Sequence, residues 1–158
     1  MFARTFFALT LCAVALAAPA AAAPGRGVFD VATGKSSPIV GTWLWTVAPS
    51  SGPSFMELET YEPSGSITAF DDAAPSSQET GSVGTYKQTG TLTYAEHDYQ
   101  FIYDEKGKFV GTWIVSAIDT VSASGTSMSG PYTFQLVSAH GKVLQSGSGT
   151  SSAVRLDG

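Results

Sequence analysis

The chain has 158 residues, 43% of them hydrophobic, and its 13 acidic side chains outnumber its 8 basic ones, which gives a net charge of −5. This length fits one domain, and the negative charge argues against a protein that binds nucleic acid through its phosphates. We therefore expect no nucleic-acid partner.

The N-terminal residues have the pattern of a secretory signal peptide. Arg4 precedes an apolar run over residues 6–18, and Ala20 and Ala22 fit the rule for small residues before the cleavage point. The run is too short to span a bilayer, which takes roughly 20 residues. The pattern predicts a signal peptide over residues 1–22 and a product that is secreted, either extracellular or periplasmic, with no membrane span.

The residues that follow predict little ordered structure. Residues 23–38 are rich in Gly, Pro and Ser and have no apolar period, so they are interpreted as a flexible leader. The single cysteine, Cys12, lies within the predicted signal peptide. The secreted product would therefore contain no disulfide, no thiol nucleophile and no thiolate metal ligand.

From residue 39 onward, segments rich in Thr, Val, Ile and aromatic residues alternate with turn signals, as is typical of β-strands. The predicted strands cover residues 39–47, 54–61, 66–70, 82–88, 91–103, 108–121, 126–138 and 142–156. Strands joined by short turns pair with their sequence neighbours, and closing the resulting sheet removes its exposed edges. We predict an all-β domain over residues 39–158, an eight-stranded antiparallel up-and-down barrel, with a β-sandwich as the alternative. The longest connection, residues 71–81, is acidic and is interpreted as a lid over an opening.

The first and last predicted strands contain residues that resemble a known group of proteins. Gly41, Thr42 and Trp43 begin the first strand, and Arg155 ends the last. This resembles the calycin signature of lipocalins and avidins, in which a G-x-W tryptophan lies at the closed end of the barrel and a late arginine packs across it. The resemblance implies structural roles for Trp43 and Arg155 and a central cavity. The chain is also similar to allene oxide cyclase and dirigent barrels in size, strand order and Gly/Thr-rich strands, so both interpretations stay open.

Side chains alternate between the two faces of a strand, so each strand has a predicted inner face. In segment 91–103 the odd positions are more apolar than Glu96, Asp98 and Gln100, and we expect the odd positions to face inward. In segments 54–61 and 108–121 the pattern does not decide which face points inward. The residues expected to line a ligand cavity are Trp45, His97, Tyr99, Phe101, Trp113, Tyr132 and Phe134. The alternative is that these rings only fill the core.

Several titratable residues have two interpretations each. His97 is either a general acid or base among aromatic rings or a structural histidine. Glu57 and Glu59 share a face of their strand. They form either a functional carboxylate pair or exposed charges on a solvated strand. Asp119 lies at the barrel rim or forms a cavity carboxylate with a raised pKa. His140 lies in a turn that ends on glycine and is expected to be solvated.

Motif searches exclude the common catalytic classes. The sequence contains no G-x-S-x-G, S-x-x-K, H-E-x-x-H, P-loop or G-x-G-x-x-G pattern. Its 2 histidines, His97 and His140, are too far apart in sequence for a metal-ligand spacing. We therefore expect neither a metal nor a cofactor.

The leading hypothesis is a secreted barrel that binds a small, largely apolar or amphipathic molecule in its lumen. The first alternative is a cofactor-free cyclase or isomerase of the allene oxide cyclase type, in which His97, Tyr99 or Glu57 assists a reaction controlled by substrate conformation. The second alternative is an extracellular protein-binding module or protease inhibitor that acts through residues 71–81.

Overall fold

A computed structural model of the chain describes residues 37–75 and 78–156. The predicted signal peptide and all but the last two residues of the predicted leader lie outside the described residues. The strands are β1 (Gly41–Pro49), β2 (Phe55–Tyr61), β3 (Ser66–Asp71), β4 (Ser82–Gln88), β5 (Thr93–Tyr103), β6 (Phe109–Val121), β7 (Ser127–Val137) and β8 (Val143–Arg155). Within the described residues, no helix is long and apolar enough to cross a membrane.

The eight strands form a closed antiparallel up-and-down barrel, in which each strand pairs with its sequence neighbours and β8 pairs with β1. The predicted fold class is thereby confirmed, and the sandwich alternative is wrong. The first strand begins at Gly41 rather than at residue 39, because a hydrogen bond from Val40 N to Ser37 O, 2.9 Å long, closes a turn around Pro38.

Tight turns join most of the strands, and their residues satisfy the turn geometry locally. The Asp104 carboxylate accepts the backbone N–H groups of Lys106 and Lys108, each at 2.9 Å. Gly107 in the same turn has a φ of 73°, a left-handed conformation that glycine adopts without steric strain. Such turns hold neighbouring strands in register and so fix which side chains share the inner face.

One end of the barrel is closed by a packed core. The buried residues there include Ile39, Trp43, Tyr61, Ile67, Tyr94, Val121 and Met128. The Trp43 indole N–H donates to the Ile39 carbonyl at 2.8 Å, inside the closed end. The Arg155 guanidinium lies over the Trp43 ring and donates to the carbonyls of Val40, Gly125 and Pro38. This end is therefore sealed by aromatic packing and one arginine.

The structure reverses the predicted orientation of β5. His97, Tyr99 and Phe101 point outward, with Tyr99 43% and Phe101 51% exposed, whereas Glu96 and Gln100 are buried. The rings contact one another on the outer face: His97 packs edge-on against Tyr99 at 4.9 Å, and Phe101 against Phe109 at 5.8 Å. The apolar count did not identify the inner face, because the lumen supplies hydrogen-bond partners for polar side chains.

Candidate functional site

The barrel encloses a cavity of about 260 Å³ that lies above the packed core. Its floor includes Glu59, Glu96 and Asp119, which lie close to the closed end. Its other lining residues reach Pro49 at the end of β1, Ser51 in the β1–β2 connection, and Ala73 and Glu79 in the β3–β4 connection. The cavity therefore extends toward the end of the barrel opposite Arg155.

Half of the lumen wall is aromatic. The rings Trp113, Tyr132, Phe134 and Trp45 come from β6, β7 and β1, and β8, which lies between β7 and β1, contributes no aromatic side chain. Trp113 packs edge-on against Phe134 at 4.8 Å, and Phe134 stacks with Tyr132 at 6.3 Å. These rings provide a rigid apolar surface for the body of a ligand.

Small residues on β8 make room for this aromatic wall. A methyl group at Gly147 would lie 2.6 Å from Phe134 Cζ, and one at Gly149 would lie 2.7 Å from the Tyr132 hydroxyl. Both separations are shorter than any normal contact. The rings therefore occupy the space that side chains on β8 would otherwise fill.

The other half of the lumen is acidic. The lining residues include seven carboxyl groups, and among the described residues no Lys, Arg or His lines the cavity. Most of these groups lie on β2, β3 and β5, with Asp119 on β6 at the floor; they are Glu57, Glu59, Asp71, Glu79, Glu96, Asp98 and Asp119. Glu59 is only 5% exposed and Asp119 is 0% exposed. The interpretation of Glu59 as a solvated surface charge and of Asp119 as a rim residue is therefore wrong.

A hydrogen-bonded network joins β2 to β5 across the lumen. The Tyr61 hydroxyl lies 2.6 Å from Glu59 Oε2 and 2.7 Å from Glu96 Oε1. A phenol has one proton and can donate it to only one of these carboxyls. The other carboxyl must itself be protonated and donate to the Tyr61 oxygen. At least one of the two glutamates is therefore neutral in the folded protein.

Asp119 lies next to this network. Both of its carboxyl oxygens are buried and have no hydrogen-bond partner among the described residues. Its negative charge raises the pKa of the neighbouring Glu96 carboxyl. Asp119 is therefore a buried carboxyl on the cavity wall without a donor in the described part of the chain.

Burial shifts the ionisation of the whole acidic wall. Burial is the largest cause that raises the pKa of Glu57, and the negative charges of Asp98 and Asp71 add to it; together they bring the pKa to about 8. Burial likewise raises the pKa of Asp98 and that of Asp119 to about 7. The pKa values of Glu59 and Glu96 lie well above their ordinary range for the same reason. The lumen therefore holds protons near neutral pH that exposed carboxyls would have lost.

The structure brings together only part of the residue set expected from the sequence. Trp45, Trp113, Tyr132, Phe134 and Glu57 line the cavity. His97, Tyr99 and Phe101 do not, since β5 presents them on the outer face. His97 Nδ1 instead forms a hydrogen bond of 2.7 Å with the Ser116 hydroxyl, while His140 is exposed in its turn.

Sequence reasoning missed Glu96, Asp98 and Gln100 as lumen residues. Gln100 Nε2 donates to the Thr80 carbonyl at 2.8 Å and to Asp71 Oδ2 at 3.1 Å, which ties β5 to the β3–β4 connection. One signal was present: acidic residues two apart occur in both 54–61 and 91–103, as Glu57/Glu59 and Glu96/Asp98. Alternation places each pair on one face, which is consistent with a shared polar interior.

The carboxyls are distributed around the wall rather than directed at a single point. Within residues 37–75 and 78–156, no group of three or more His, Cys, Asp or Glu side chains is arranged to hold a metal ion. The donor set thus differs from that of a protein metal site.

No family model, curated protein or solved structure matches this chain. The site is therefore interpreted from its own chemistry.

Proposed function

We propose that the barrel binds a small amphipathic organic molecule in its lumen. The observation that carries this proposal is the division of the cavity wall into an aromatic half, with Trp45 and Trp113, and an acidic half, with Glu57 and Asp98. A ligand with an apolar body and a polar group would contact both halves at once. The acidic half makes a wholly apolar ligand a poor fit, because such a ligand would leave the carboxyls without polar partners.

The size and position of the cavity support this proposal. About 260 Å³ is close to the lower end of the range of roughly 300–1,000 Å³ typical of ligand pockets. Trp43 and Arg155 close one end of the barrel, so a ligand would enter from the opposite end. The same closed end is the feature that resembles calycins, and we propose that the chain is a secreted barrel of this kind.

Native mass spectrometry tests the proposal directly. Protein purified from the culture fluid or periplasm of the organism that makes it should carry a bound compound that denaturation releases. A matched variant, Ala117→Trp, places a large ring on the cavity wall and should abolish the extra mass while the barrel retains its circular dichroism spectrum. Wild-type protein with the bare polypeptide mass, together with no compound in a host extract that raises its melting temperature, would overturn the proposal.

A second candidate function is the cofactor-free cyclase or isomerase. The observation that favours it is the position of Glu57, directly opposite Trp45 in the β1–β2 ladder and inside the cavity, with a pKa of about 8. A carboxylic acid that stays protonated near neutral pH can act as a general acid. His97 and Tyr99 lie outside the lumen, so Glu57 is the one of the three earlier candidates in position to contact a substrate.

Incubating wild-type protein with the compound that co-purifies with Glu57→Gln, a variant that would retain unreacted substrate, separates the two functions. An enzyme converts it, and Glu57→Gln then lowers kcat by at least about 100-fold with little change in KM. A binding protein returns the compound unchanged. Unchanged compound after prolonged incubation with wild-type protein would overturn the enzyme candidate.

A further inference from the structure

We infer that the lumen binds a compact organic cation, an aromatic amine whose ammonium group lies among the carboxyls while its ring lies against the tryptophans. The inference rests on the proposed binding function and specifies the chemical class of the ligand.

The first argument is charge balance. Seven carboxyl groups line the cavity, and the described residues place no basic side chain there to neutralise them. Buried carboxylates are normally paired with a cation or with several donors, because desolvation strongly disfavours an isolated charge. Uptake of protons removes this charge only below the raised pKa values of groups such as Glu57 and Asp98, which are about 8 and about 7, and above them the carboxyls ionise and need a countercharge. A ligand cation supplies the missing countercharge.

The second argument is the presence of unsatisfied buried groups at the site. Asp119 is 0% exposed, and neither of its carboxyl oxygens has a hydrogen-bond partner among the described residues. The Trp45 indole N–H is also buried without an acceptor in the described part of the chain. Native proteins rarely leave buried polar groups unpaired, so their presence on a cavity wall indicates a ligand. An ammonium donor suits Asp119, and a polar substituent on the ligand suits Trp45.

The third argument distinguishes an organic cation from a metal ion. The carboxyls lie on several strands around the wall, and no three of the described side chains form a metal-binding set. Trp45 lies directly opposite Glu57, which in turn lies opposite Asp71 in the next ladder. An ammonium group between this row and Asp119, whose charge acts on the Glu57 carboxyl, would contact carboxyls on both sides. The indole on the wall would attract the same cation. The rest of the aromatic wall would then hold an apolar ring.

Three indole probes of similar size and different charge test the inference by titration calorimetry at about pH 8: tryptamine is a cation, tryptophol is neutral and indole-3-acetate is an anion. We expect tryptamine to bind at least about tenfold more tightly than tryptophol and indole-3-acetate not to bind, because a hydrogen bond between an ammonium and a carboxylate is stronger than one from a neutral hydroxyl. Titrations in buffers of different ionisation enthalpy should show proton release on tryptamine binding, because the ammonium lowers the pKa values of the neighbouring carboxyls.

Matched variants locate the charge recognition. Glu57→Gln and Asp119→Asn keep side-chain size and remove a carboxylate, and each should weaken tryptamine binding by about tenfold while leaving tryptophol binding unchanged. Glu105→Gln, in the exposed β5–β6 turn, is the control and should bind all probes as the wild type does.

The possible outcomes separate this inference from the proposed function. Equal affinity for tryptamine and tryptophol, or binding of indole-3-acetate, would overturn the cationic ligand and leave lumen binding intact. Absence of binding by all three probes would also overturn the inference, while native mass spectrometry decides the binding function independently. Tight tryptamine binding that survives both carboxylate substitutions would place the cation elsewhere and overturn the site.

Discussion

The Arg155 guanidinium carbon lies 4.3 Å from the centre of the Trp43 ring and covers the closed end of the barrel. Arg155 Nε donates to the Gly125 carbonyl at 2.7 Å and Nη1 to the Val40 carbonyl at 2.8 Å. One side chain thereby connects the end of β8, the β6–β7 turn and the segment before β1.

We expect Arg155→Met to destabilise the fold by about 2–4 kcal/mol, since it removes the stacking charge and leaves carbonyl groups without donors. Urea unfolding followed by tryptophan fluorescence measures the change. Lys142→Met, in the exposed turn before β8, should change the free energy of unfolding by less than about 0.5 kcal/mol. Equal unfolding midpoints for Arg155→Met and wild type would contradict a stabilising role of Arg155 at the closed end.

Removing the bridging hydroxyl of Tyr61 tests the network across the lumen. Tyr61→Phe leaves the buried Glu59 and Glu96 carboxyls without their shared partner, so we expect a loss of about 1–3 kcal/mol. Thermal or urea unfolding gives the value. Tyr99→Phe removes an outward-facing hydroxyl and serves as the control, which should differ from wild type by less than about 0.5 kcal/mol. A Tyr61→Phe protein as stable as that control would show that the network contributes nothing.

The acidic lumen predicts an unusual dependence of stability on pH. The pKa of Glu57 is about 8 in the folded protein against 4.5 for the free group, so between these values the folded state binds more protons than the unfolded state. Stability then falls as pH rises. We expect the melting temperature of ligand-free protein to be highest near about pH 5 and to decrease steadily toward about pH 8. A melting temperature that rises over this interval would contradict ionisable carboxyls in the lumen.

Glu57→Gln should stabilise the ligand-free protein at high pH. The pKa shift corresponds to at most about 4–5 kcal/mol, and access of water to the cavity reduces this, so we expect a gain of about 1–2 kcal/mol at about pH 8 and little change at about pH 5. Chemical denaturation at both pH values measures the difference, with Glu105→Gln as the exposed control. A variant less stable than wild type at about pH 8 would contradict the prediction. Gain of stability with loss of amine binding is the trade-off typical of functional groups.

The strands could be predicted from sequence because their signals are local. The predicted segment 82–88 coincides with β4, and 108–121 differs from β6 by one residue. Aromatic and β-branched residues between glycine-containing turns define such segments without knowledge of the remaining fold. Closure of the barrel followed because short turns allow only neighbouring strands to pair.

The inner face of β5 and the acidic site could not be predicted in the same way. Glu96 is buried because Tyr61, 35 residues earlier in the chain, reaches its carboxyl across the lumen. No local pattern in 91–103 encodes that partner, so counting apolar residues selected the face with His97 and Tyr99. Where polar groups find hydrogen bonds inside and aromatic rings cluster outside, hydrophobicity alone assigns the faces incorrectly.

The glycines of β8 have a consequence for the shape of the lumen. Phe134 and Tyr132 lie where side chains at positions 147 and 149 would be. The absence of side chains at these two β8 positions therefore determines how far the rings extend into the cavity. None of the carboxyls lies on β8. Selectivity for the size of a ligand and selectivity for its charge are therefore encoded on separate strands, and evolution or protein engineering can alter one while the other is retained.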